Sequence, residues 1–374
     1  MTHSDIAIIG GGMIGCSLAY YLSKAGLHVE VFEENNIAQG TTKAAGGMLG
    51  AHSEYIDEHF YSFARMSQEL YKQFTVDSIS PFDYTVGGII QYMANEHEID
   101  HFKRWEHAKF ISQQSFQEQF PLLTTPSYGA YLFEDDVHVH PEKTCFAFYH
   151  SAKALGASFH EQTKIKAIEH SENGVYIQTN EEEIFTQKVV IASGIGTQTF
   201  LPDLQLSATK GQCVQLQANG HSLPFTLFDE GRYVISRPDD TFVIGATMED
   251  NTDDTHTNLQ GMQALQDIAH RFSPLFTTLP LVRQWAGLRP KSVDGLPYIG
   301  QVPGQKNIYV ASGHFRNGVL LAPATAVLIK SMLLNEYVNP EWEHAFRTER
   351  GIKNEQNHSI ERRFVSTSSS HFNS

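Results

Sequence analysis

The stretch IAIIGGGMIG, residues 6–15, decides the fold of this chain of 374 residues. Its four leading apolar residues are typical of a strand buried on both faces of a parallel sheet. The glycines that follow have the spacing G-x-G-x-x-G, and apolar residues then recur at helical spacing over residues 14–25. Gly26 stands where a helix ends, and residues 29–33 predict a second strand. The sequence therefore predicts a βαβ unit with a glycine loop between the first strand and the helix.

This glycine loop has the features of a dinucleotide-binding fingerprint. Gly10 permits the tight turn, Gly12 lets the backbone approach a pyrophosphate, and Gly15 allows the helix to pack closely on the strand. The helix N-terminus then stabilises phosphates through free N–H groups and its dipole. Glu33 ends the second strand, where a carboxylate accepts hydrogen bonds from an adenosine ribose.

A run of small residues, TTKAAGGMLG (residues 41–50), follows this unit. Where the side chains are small, the backbone can pass close to a large flat ring, and its N–H groups can then bind that ring. The alternative is a flexible surface loop, for which the apolar pairs Ala-Ala and Met-Leu within the run are poor choices. The run therefore favours a cofactor contact.

The rest of the chain predicts two domains built from separated segments. Residues 189–194 and 308–313 are further buried-strand candidates, and residues 319–334 predict a helix, whereas residues 214–217 and 233–236 alternate as antiparallel strands do. Dividing the length of 374 residues by about 150 residues per domain also suggests two domains. The expected division is residues 1–80, 141–210 and 290–350 for the nucleotide domain, 81–140 and 211–289 for an inserted domain, and 351–374 for a polar, disordered tail.

Composition excludes several classes of function. The formal net charge of −15 argues against a nucleic-acid or anionic-membrane surface, because both need a basic footprint. The three cysteines are too few and too widely spaced for a disulfide framework or a CxxC metal site. The sequence has no run of 18 apolar residues. We expect a cytoplasmic protein that binds neither nucleic acid nor membranes.

Two segments place an arginine among glycines and aromatic residues: WAGLRP (residues 285–290) and GHFRNG (residues 313–318). A buried arginine needs a partner, and its planar guanidinium pairs best with a carboxylate. Each arginine taken alone is more readily interpreted as a surface residue or as one paired in the core. The stretch DDVHVH (residues 135–140) could place two imidazoles on one strand face, but in a chain with 19 histidines this indicates little, and we predict no metal site.

Taken together, these motifs resemble those of the D-amino-acid-oxidase-like flavoprotein family. The most specific pieces are AAGGMLGA (44–51), VIGATM (243–248), WAGLRP (285–290) and GHFRNGVL (313–320), and the resemblance extends over nearly the whole chain. It implies an α/β fold: a Rossmann-like FAD-binding domain of discontinuous segments plus an inserted α+β substrate domain with a mostly antiparallel sheet. It also implies non-covalent FAD and a homotetramer. The cofactor contacts it implies are Gly10, Gly12, Met13, Ile14, Gly15, Glu33, Glu34, Thr41, Thr42, Gly46, Gly47, Met48, Ile165, His314, Phe315, Arg316, Asn317, Gly318, Val319 and Leu320.

The resemblance further implies an activity and a substrate pocket. The activity is oxidative deamination of glycine, sarcosine and small D-amino acids to the 2-oxo acid and ammonia or an amine, with O₂ reduced to H₂O₂. Glycine gives glyoxylate through the imine, and this oxidation feeds thiamin thiazole synthesis. Arg289 and Arg316 are assigned to the substrate carboxylate and Tyr233 to the pocket wall, with Met248 nearby. Some members of the family carry a histidine two positions before this tyrosine, where this chain has Gly231.

Three alternatives stay open at this point. A sarcosine-oxidase-like or D-amino-acid oxidase or dehydrogenase shares the fold, although the covalent flavin of the sarcosine enzymes needs a cysteine near the C-terminal flavin segment. The last cysteine here is Cys213. A flavin dehydrogenase that passes electrons to a membrane quinone needs a basic amphipathic segment, which the sequence lacks. A non-catalytic flavin-binding protein has little use for a second arginine beside the flavin segment.

Overall fold

The computed structural model describes residues 4–105 and 108–352. The strands of this part are β1 Ser4–Ile9, β2 Val29–Phe32, β3 Met48–Leu49, β4 Ile89–Tyr92, β5 Ala108–Ile111, β6 Ala130–Phe133, β7 Val137–His138, β8 Ser158–His160, β9 Ala167–Ser171, β10 Gly174–Gln178, β11 Glu183–Ile191, β12 Leu206–Gln217, β13 Thr226–Asp229, β14 Arg232–Arg237, β15 Thr241–Gly245, β16 Glu249–Asp250, β17 Leu281–Ser292, β18 Tyr298–Val302 and β19 Gln305–Ser312. Its α-helices are α1 Met13–Lys24, α2 Thr41–Ala44, α3 Glu58–Asp77, α4 Glu96–Phe102, α5 Gln113–Gln119, α6 Pro141–Ala154, α7 Leu259–Phe272, α8 Gly318–Leu333 and α9 Pro340–Phe346.

The first sheet is built around β1. Its strand order is β18-β19-β11-β1-β2-β8, in which β1 pairs in parallel with β11 on one side and β2 on the other, and β9 and β10 extend β11. Helices α1, α6 and α8 pack together over one face, as their shared apolar cluster shows. The predicted βαβ unit is thereby confirmed, with the helix over Met13–Lys24 and Gly26 at a positive φ of 86° just after it.

Two positions in and after the loop that follows β1 require glycine, one because of its φ angle and the other because of a close backbone contact. Gly10 has a φ of 113°, a conformation that L side chains rarely adopt. A Cβ at Gly15 would lie 1.8 Å from the carbonyl oxygen of Gly10, which is inside van der Waals contact. Glycine at these positions lets α1 begin directly against the end of the strand.

The second sheet is mostly antiparallel. Its order is β16-β12-β15-β14-β13-β4-β6-β5, with β17 also paired to β12, and the β13–β4 pair is parallel. Helix α7 covers one face through Leu265, Ile268 and Phe272. The expected fold class, a Rossmann-like sheet combined with a mostly antiparallel one, is confirmed.

The exact domain boundaries stay a prediction, because β12 and β17 run across the expected divisions at 210/211 and 289/290. The expected start of the tail at Gly351 is too early. The Gly351 carbonyl accepts a hydrogen bond from Gln205 N–H at 2.7 Å, and Ile352 bridges to Leu204. The remainder of the expected tail, residues 353–374, lies outside the described residues. In the described part of the chain, no helix is long and apolar enough to cross a membrane.

Candidate active site

A cavity of about 830 Å³ lies where the two sheets meet. The segments that follow β1, β2, β11 and β19 line it on one side, and β14 and β17 line it on the other. Ligands of open α/β sheets bind beyond the carboxyl ends of the strands, and cofactor pockets have volumes of roughly 300–1,000 Å³. The position and size of this cavity therefore suit a bound cofactor together with a small substrate.

Glu33 directly follows β2, and hydrogen bonds fix its carboxylate at the cavity. Its Oε2 accepts a hydrogen bond from Gly11 N–H at 2.7 Å, and its Oε1 accepts one from Asn35 N–H at 2.9 Å. Each carboxylate oxygen has a second lone pair. Glu33 therefore keeps acceptor capacity for the hydroxyls of a ribose.

The N-terminus of α1 opens onto the same cavity. Gly12, Met13 and Ile14 line it, and the first turn contains no acidic residue among those described. The Thr42 hydroxyl accepts a hydrogen bond from Met13 N–H at 2.9 Å, so α2 is held against this turn. The other N–H groups and the helix dipole suit a diphosphate.

The small-residue run continues from α2 along the cavity wall. The Thr41 hydroxyl donates to the carbonyl of Leu288 at 2.7 Å, which ties the run to β17. Gly47 has a φ of 91°, and a Cβ there would lie 2.1 Å from the carbonyl oxygen of Val139. The run is therefore a packed segment with close backbone contacts on both sides.

Arg237, which the sequence analysis did not single out, lies behind this segment. Its guanidinium is buried and donates to the carbonyls of Val139, at 2.8 Å, and Gly46. Burial lowers the pKa of Arg237 to about 10, so it stays protonated at neutral pH. It holds the backbone of the small-residue run at the cavity wall.

Helix α8 also directs its N-terminus at the cavity, through Asn317, Gly318 and Val319. His314, just before this helix, is buried with its Nε2 3.0 Å from the Thr325 hydroxyl. Burial lowers the pKa of His314 to about 3, so its imidazole is neutral. His314 therefore adds no positive charge here, whereas the dipole of α8 favours negative charge on a bound group.

Tyr233 forms the wall between the small-residue run and the second sheet. A Cβ at Gly46 or at Gly245 would lie 2.7 Å from its ring, so both glycines are needed for its placement. Its hydroxyl lies 3.3 Å from Cys213 Sγ. Burial raises the pKa of Tyr233 well above its ordinary value, and the phenol stays protonated.

Arg289 reaches the cavity from β17. Its guanidinium lies against Gly211, where a Cβ would be 2.2 Å away, and donates to the Thr247 carbonyl at 3.3 Å. Within residues 4–105 and 108–352 it forms no ion pair. Met248, the next residue after Thr247, is half-exposed and lines the same cavity. Arg289 is therefore a guanidinium that a ligand carboxylate can bind.

Arg316 has a different environment. Its Nη2 donates to both carboxylate oxygens of Glu54, each at 2.7 Å. Glu54 itself lines the cavity and is largely buried. The Glu54 carboxylate raises the pKa of Arg316 above its ordinary value. The two arginines that the sequence treats alike thus differ, because one already holds a carboxylate of the protein.

Asp136, which is fully buried, binds the two residues before Glu54 and so anchors the turn that carries it. Its Oδ1 accepts hydrogen bonds from His52 Nδ1 at 2.8 Å and Gln68 Nε2 at 3.0 Å, and its Oδ2 accepts one from the Ser53 hydroxyl at 3.0 Å. The backbone N–H groups of His52 and Ser53 donate to the same carboxylate. Asp136, part of the stretch weighed above for metal binding, is therefore an anchor for the turn. The described side chains contain no cluster that could hold a metal ion.

The geometry fits a dinucleotide with a ring system: a ribose-binding carboxylate, a helix N-terminus for phosphates, a close-packed backbone wall and a second helix N-terminus follow one another along one cavity. Residues 5–332 match the family described as DAO, FAD dependent oxidoreductase. The chain belongs to this family. The expectation of an FAD-dependent oxidoreductase is confirmed.

This FAD-dependent oxidoreductase is similar to glycine oxidases and to part of a longer bifunctional protein. It is 35% identical to a glycine oxidase of Bacillus subtilis (strain 168) over 93% of its own chain and 98% of the relative. It is 30% identical to a bifunctional protein ThiO/ThiG of Synechocystis over 93% of its chain and 54% of that protein. The crystal structure of a glycine oxidase from Geobacillus kaustophilus superposes with a TM-score of 0.88 at 28% identity, covering 94% of this chain and all of that one.

Most of the residues expected at the site of this FAD-dependent oxidoreductase line the one cavity. Gly15 and Leu320 do not: Gly15 is a packing contact with Gly10, and Leu320 is buried in α8 with its carbonyl accepting from the Ser67 hydroxyl. Their assignment as direct cofactor contacts is therefore not supported by the geometry. The cavity-lining residues among those expected are Gly10, Gly12, Met13, Ile14, Glu33, Glu34, Thr41, Thr42, Gly46, Gly47, Met48, Ile165, Tyr233, Met248, Arg289, His314, Phe315, Arg316, Asn317, Gly318 and Val319.

Replacing Glu33 by alanine is expected to weaken FAD binding by about ten- to a hundredfold, because a charge-assisted hydrogen bond contributes roughly 1.5–3 kcal/mol. The measurement is titration of apoprotein with FAD, followed by flavin fluorescence. Glu183→Ala, an exposed glutamate of β11, is the matched control. Equal FAD affinity of Glu33→Ala and the parent protein, with both folded by circular dichroism, would show that Glu33 does not contact the cofactor.

Proposed function

We propose that this enzyme catalyses the oxidative deamination of glycine, with sarcosine and small D-amino acids as further substrates. Glycine, O₂ and water give glyoxylate, ammonia and H₂O₂. The observation that carries the proposal is Arg289, a guanidinium that faces the cavity and forms no ion pair within the described chain. The glycine oxidases among its relatives support the choice of glycine.

Arg289 acts by binding the substrate carboxylate through two N–H groups. Such a two-pronged contact fixes the orientation of the carboxylate as well as its position. Glycine has no side chain, so its carboxylate and its amine are the groups by which it can be oriented. Holding the carboxylate at Arg289 therefore sets where the Cα–H bonds point, which is the main contribution that positioning makes to the rate.

Tyr233 limits the size of the pocket and excludes water from one side of it. Its protonated hydroxyl faces Cys213, and its ring fills the space left by two glycines of the neighbouring segments. FAD, when bound, would supply the acceptor for the hydride that leaves the substrate Cα and, once reduced, the two electrons for O₂. The resulting imine takes up water to give glyoxylate and ammonia.

The cavity offers no evident side-chain base for the substrate among the residues described. The Glu54 carboxylate is bound to Arg316, the imidazole of His314 is bound to Thr325, and Tyr233 is a protonated phenol. A hydride transfer needs no base provided that the amine is already neutral. The substrate is therefore taken to react with its amine deprotonated.

Several finer properties belong to the same proposal. FAD is bound non-covalently, which is supported by the positions of the cysteines: Cys16, Cys145 and Cys213 are buried, and no described cysteine lines the cavity. The enzyme is a cytoplasmic homotetramer, and its oxidation of glycine through the imine feeds thiamin thiazole synthesis. The homotetramer and the link to thiamin synthesis rest on the family resemblance, and the cytoplasmic location rests on the composition of the chain.

The test is release of H₂O₂ from the purified holoenzyme with glycine, sarcosine, D-alanine and D-proline, recorded together with bleaching of the flavin absorbance. We expect glycine to be oxidised with formation of glyoxylate. Turnover of sarcosine or D-proline without glycine would assign the enzyme to the sarcosine-oxidase-like or D-amino-acid alternatives. Flavin bleaching without H₂O₂ would indicate a dehydrogenase.

A further inference from the structure

The polar end of the cavity carries two guanidinium groups and one carboxylate, close to Tyr233. Tyr233, Arg289 and Arg316 line the same cavity. Arg316 is bound by Glu54 through both carboxylate oxygens, whereas Arg289 has no carboxylate partner in the described chain. A ligand at this end therefore meets one available guanidinium.

Besides Lys43, which donates to the side-chain oxygen of Gln39 at 3.2 Å, two further cations among the described residues line the cavity and have partners of their own. Lys164 pairs with Glu34 at 3.4 Å, beside the residue that would bind the ribose. Arg283 donates to the side-chain oxygen of Gln215 at 2.6 Å and lies over the Trp285 ring, 4.6 Å from its centre. Neither competes with Arg289 and Arg316 for a substrate carboxylate.

Glu54 is held rigidly where it is. The Asp136 carboxylate binds the two residues before it, and the Glu54 N–H donates to the carbonyl of Gly50 at 2.9 Å. On the other side Arg316 packs against Gly231, where a Cβ would lie 2.9 Å from its Nη1. Residue 231 is glycine, so no side chain there separates the Glu54–Arg316 ion pair from the pocket. A substitution of Glu54 therefore changes whether the Arg316 guanidinium is available to a ligand.

We propose that Glu54 sets the number of carboxylates that a substrate can carry. By binding Arg316 it leaves one guanidinium for the substrate, and its own charge repels a second carboxylate brought to the same place. Amines with one carboxylate therefore bind, and dicarboxylic amines such as iminodiacetate are excluded. The proposal rests on the proposed function for its substrates, but the ion pair and its effect on carboxylate binding do not depend on turnover.

The decisive variant is Glu54→Gln, which keeps the size of the side chain and removes its charge. Arg316 then becomes available, and a dicarboxylate can bind to Arg289 and Arg316 together. The binding probes are acetate and malonate, which lack an amine and are not oxidised, titrated into the holoenzyme while the flavin absorption is followed. We expect the ratio of malonate to acetate affinity to rise about ten- to a hundredfold in Glu54→Gln, the effect of one new charge-assisted contact.

The matched controls separate a local effect from a general one. Glu54→Asp keeps the charge, and Glu134→Gln removes a charge from an exposed pair with Lys109, so neither is expected to gain malonate binding. The double variant Glu54→Gln/Arg316→Gln should lose the gain. If Glu54→Gln does not retain FAD, Glu54→Ala is measured instead, with the same expectation.

Turnover gives a second readout. Iminodiacetate, O₂ and water would give glycine, glyoxylate and H₂O₂, so the initial rate of glyoxylate release, before glycine accumulates, measures this activity in each variant. The ratio of kcat/KM for iminodiacetate to that for glycine should rise at least tenfold in Glu54→Gln. Three results would overturn the proposal. The parent enzyme could bind malonate as well as acetate, the ratio of malonate to acetate affinity could be unchanged in Glu54→Gln, or Glu134→Gln could gain as much malonate affinity as Glu54→Gln. Lack of glycine oxidation by the parent enzyme would instead contradict the proposed function and leave the malonate titration as the test.

Discussion

Replacement of Arg289 by alanine is expected to lower kcat/KM for glycine about a hundredfold or more, while the protein keeps its FAD. Truncating one partner of a charge pair in a desolvated pocket commonly changes the free energy by roughly 2–5 kcal/mol, and each 1.4 kcal/mol is about tenfold. Arg289 is the guanidinium that the described chain leaves without a carboxylate, so no neighbouring group takes over its role. The measurement is steady-state H₂O₂ release over a range of glycine concentrations.

Three further variants show whether this loss belongs to carboxylate binding. Arg289→Lys should recover part of the activity, because a point charge does not reproduce the two-pronged contact. Arg316→Ala should lose less than Arg289→Ala, because Arg316 is bound to Glu54. Arg232→Ala, an arginine of β14 that pairs with Glu230 outside the cavity, should retain the parent kinetics. A larger loss in Arg316→Ala than in Arg289→Ala would assign the carboxylate to Arg316.

Replacement of Asp136 by alanine is expected to destabilise the protein by about 3 kcal/mol or more. Asp136 is fully buried and accepts hydrogen bonds from the side chains of His52, Ser53 and Gln68 and from two backbone N–H groups. Each buried donor left without an acceptor costs roughly 1–3 kcal/mol. Thermal unfolding followed by circular dichroism should show a fall in Tm of at least about 6 °C.

The neighbouring carboxylate provides the matched control for this prediction. Asp135 is partly exposed and pairs with Arg65 at 3.0 Å, so Asp135→Ala should change the Tm by no more than about 2 °C, as expected for a surface ion pair. Asp136→Asn keeps the volume of the side chain but replaces one acceptor oxygen by an NH₂ group that faces hydrogen-bond donors. This variant should therefore also unfold at a lower temperature than the parent protein. Equal Tm values for Asp136→Ala and the parent protein would mean that the turn carrying Glu54 is held by other contacts.

The parts of the fold and site that the sequence predicted are those encoded by neighbouring residues. The apolar strand, the glycine spacing and Glu33 lie within one short segment, and each has a local pattern with a known physical cause. The same holds for the buried strand before GHFRNG and the helix after it, which the structure has as β19 and α8. Local patterns sufficed there because the backbone conformation itself forms the site.

The residues that were missed act through partners far away in sequence. Glu54 and Arg316 are 262 positions apart, and Asp136 is 84 positions from His52. A single acidic residue after a run of small residues has no local pattern that distinguishes it from a surface carboxylate. For the same reason the sequence could not show whether Arg289 or Arg316 is available to bind a substrate carboxylate. The two arginines differ because Glu54 lies beside Arg316.

Arg237 was missed for a related reason. It closes an alternating strand, where a polar residue usually faces water, and its two carbonyl acceptors belong to other segments. A buried arginine without a carboxylate cannot be recognised until the chain around it is placed. The small-residue run, by contrast, was expected to contact a cofactor, and the structure has it along the wall of the cavity with close backbone contacts.

The strand order of the first sheet has a consequence for how the protein is made. The strand β1, at residues 4–9, pairs with β11, and β11 pairs on its other side with β19, at residues 305–312. During synthesis on the ribosome β11 therefore stays without its partner β19, and until β19 emerges residues 189–191 of β11 present an open edge with unpaired backbone groups. Such long-range parallel pairing makes folding slow. A chain interrupted before residue 305 keeps that open edge, so nascent and truncated chains are the species most exposed to aggregation and most dependent on chaperones.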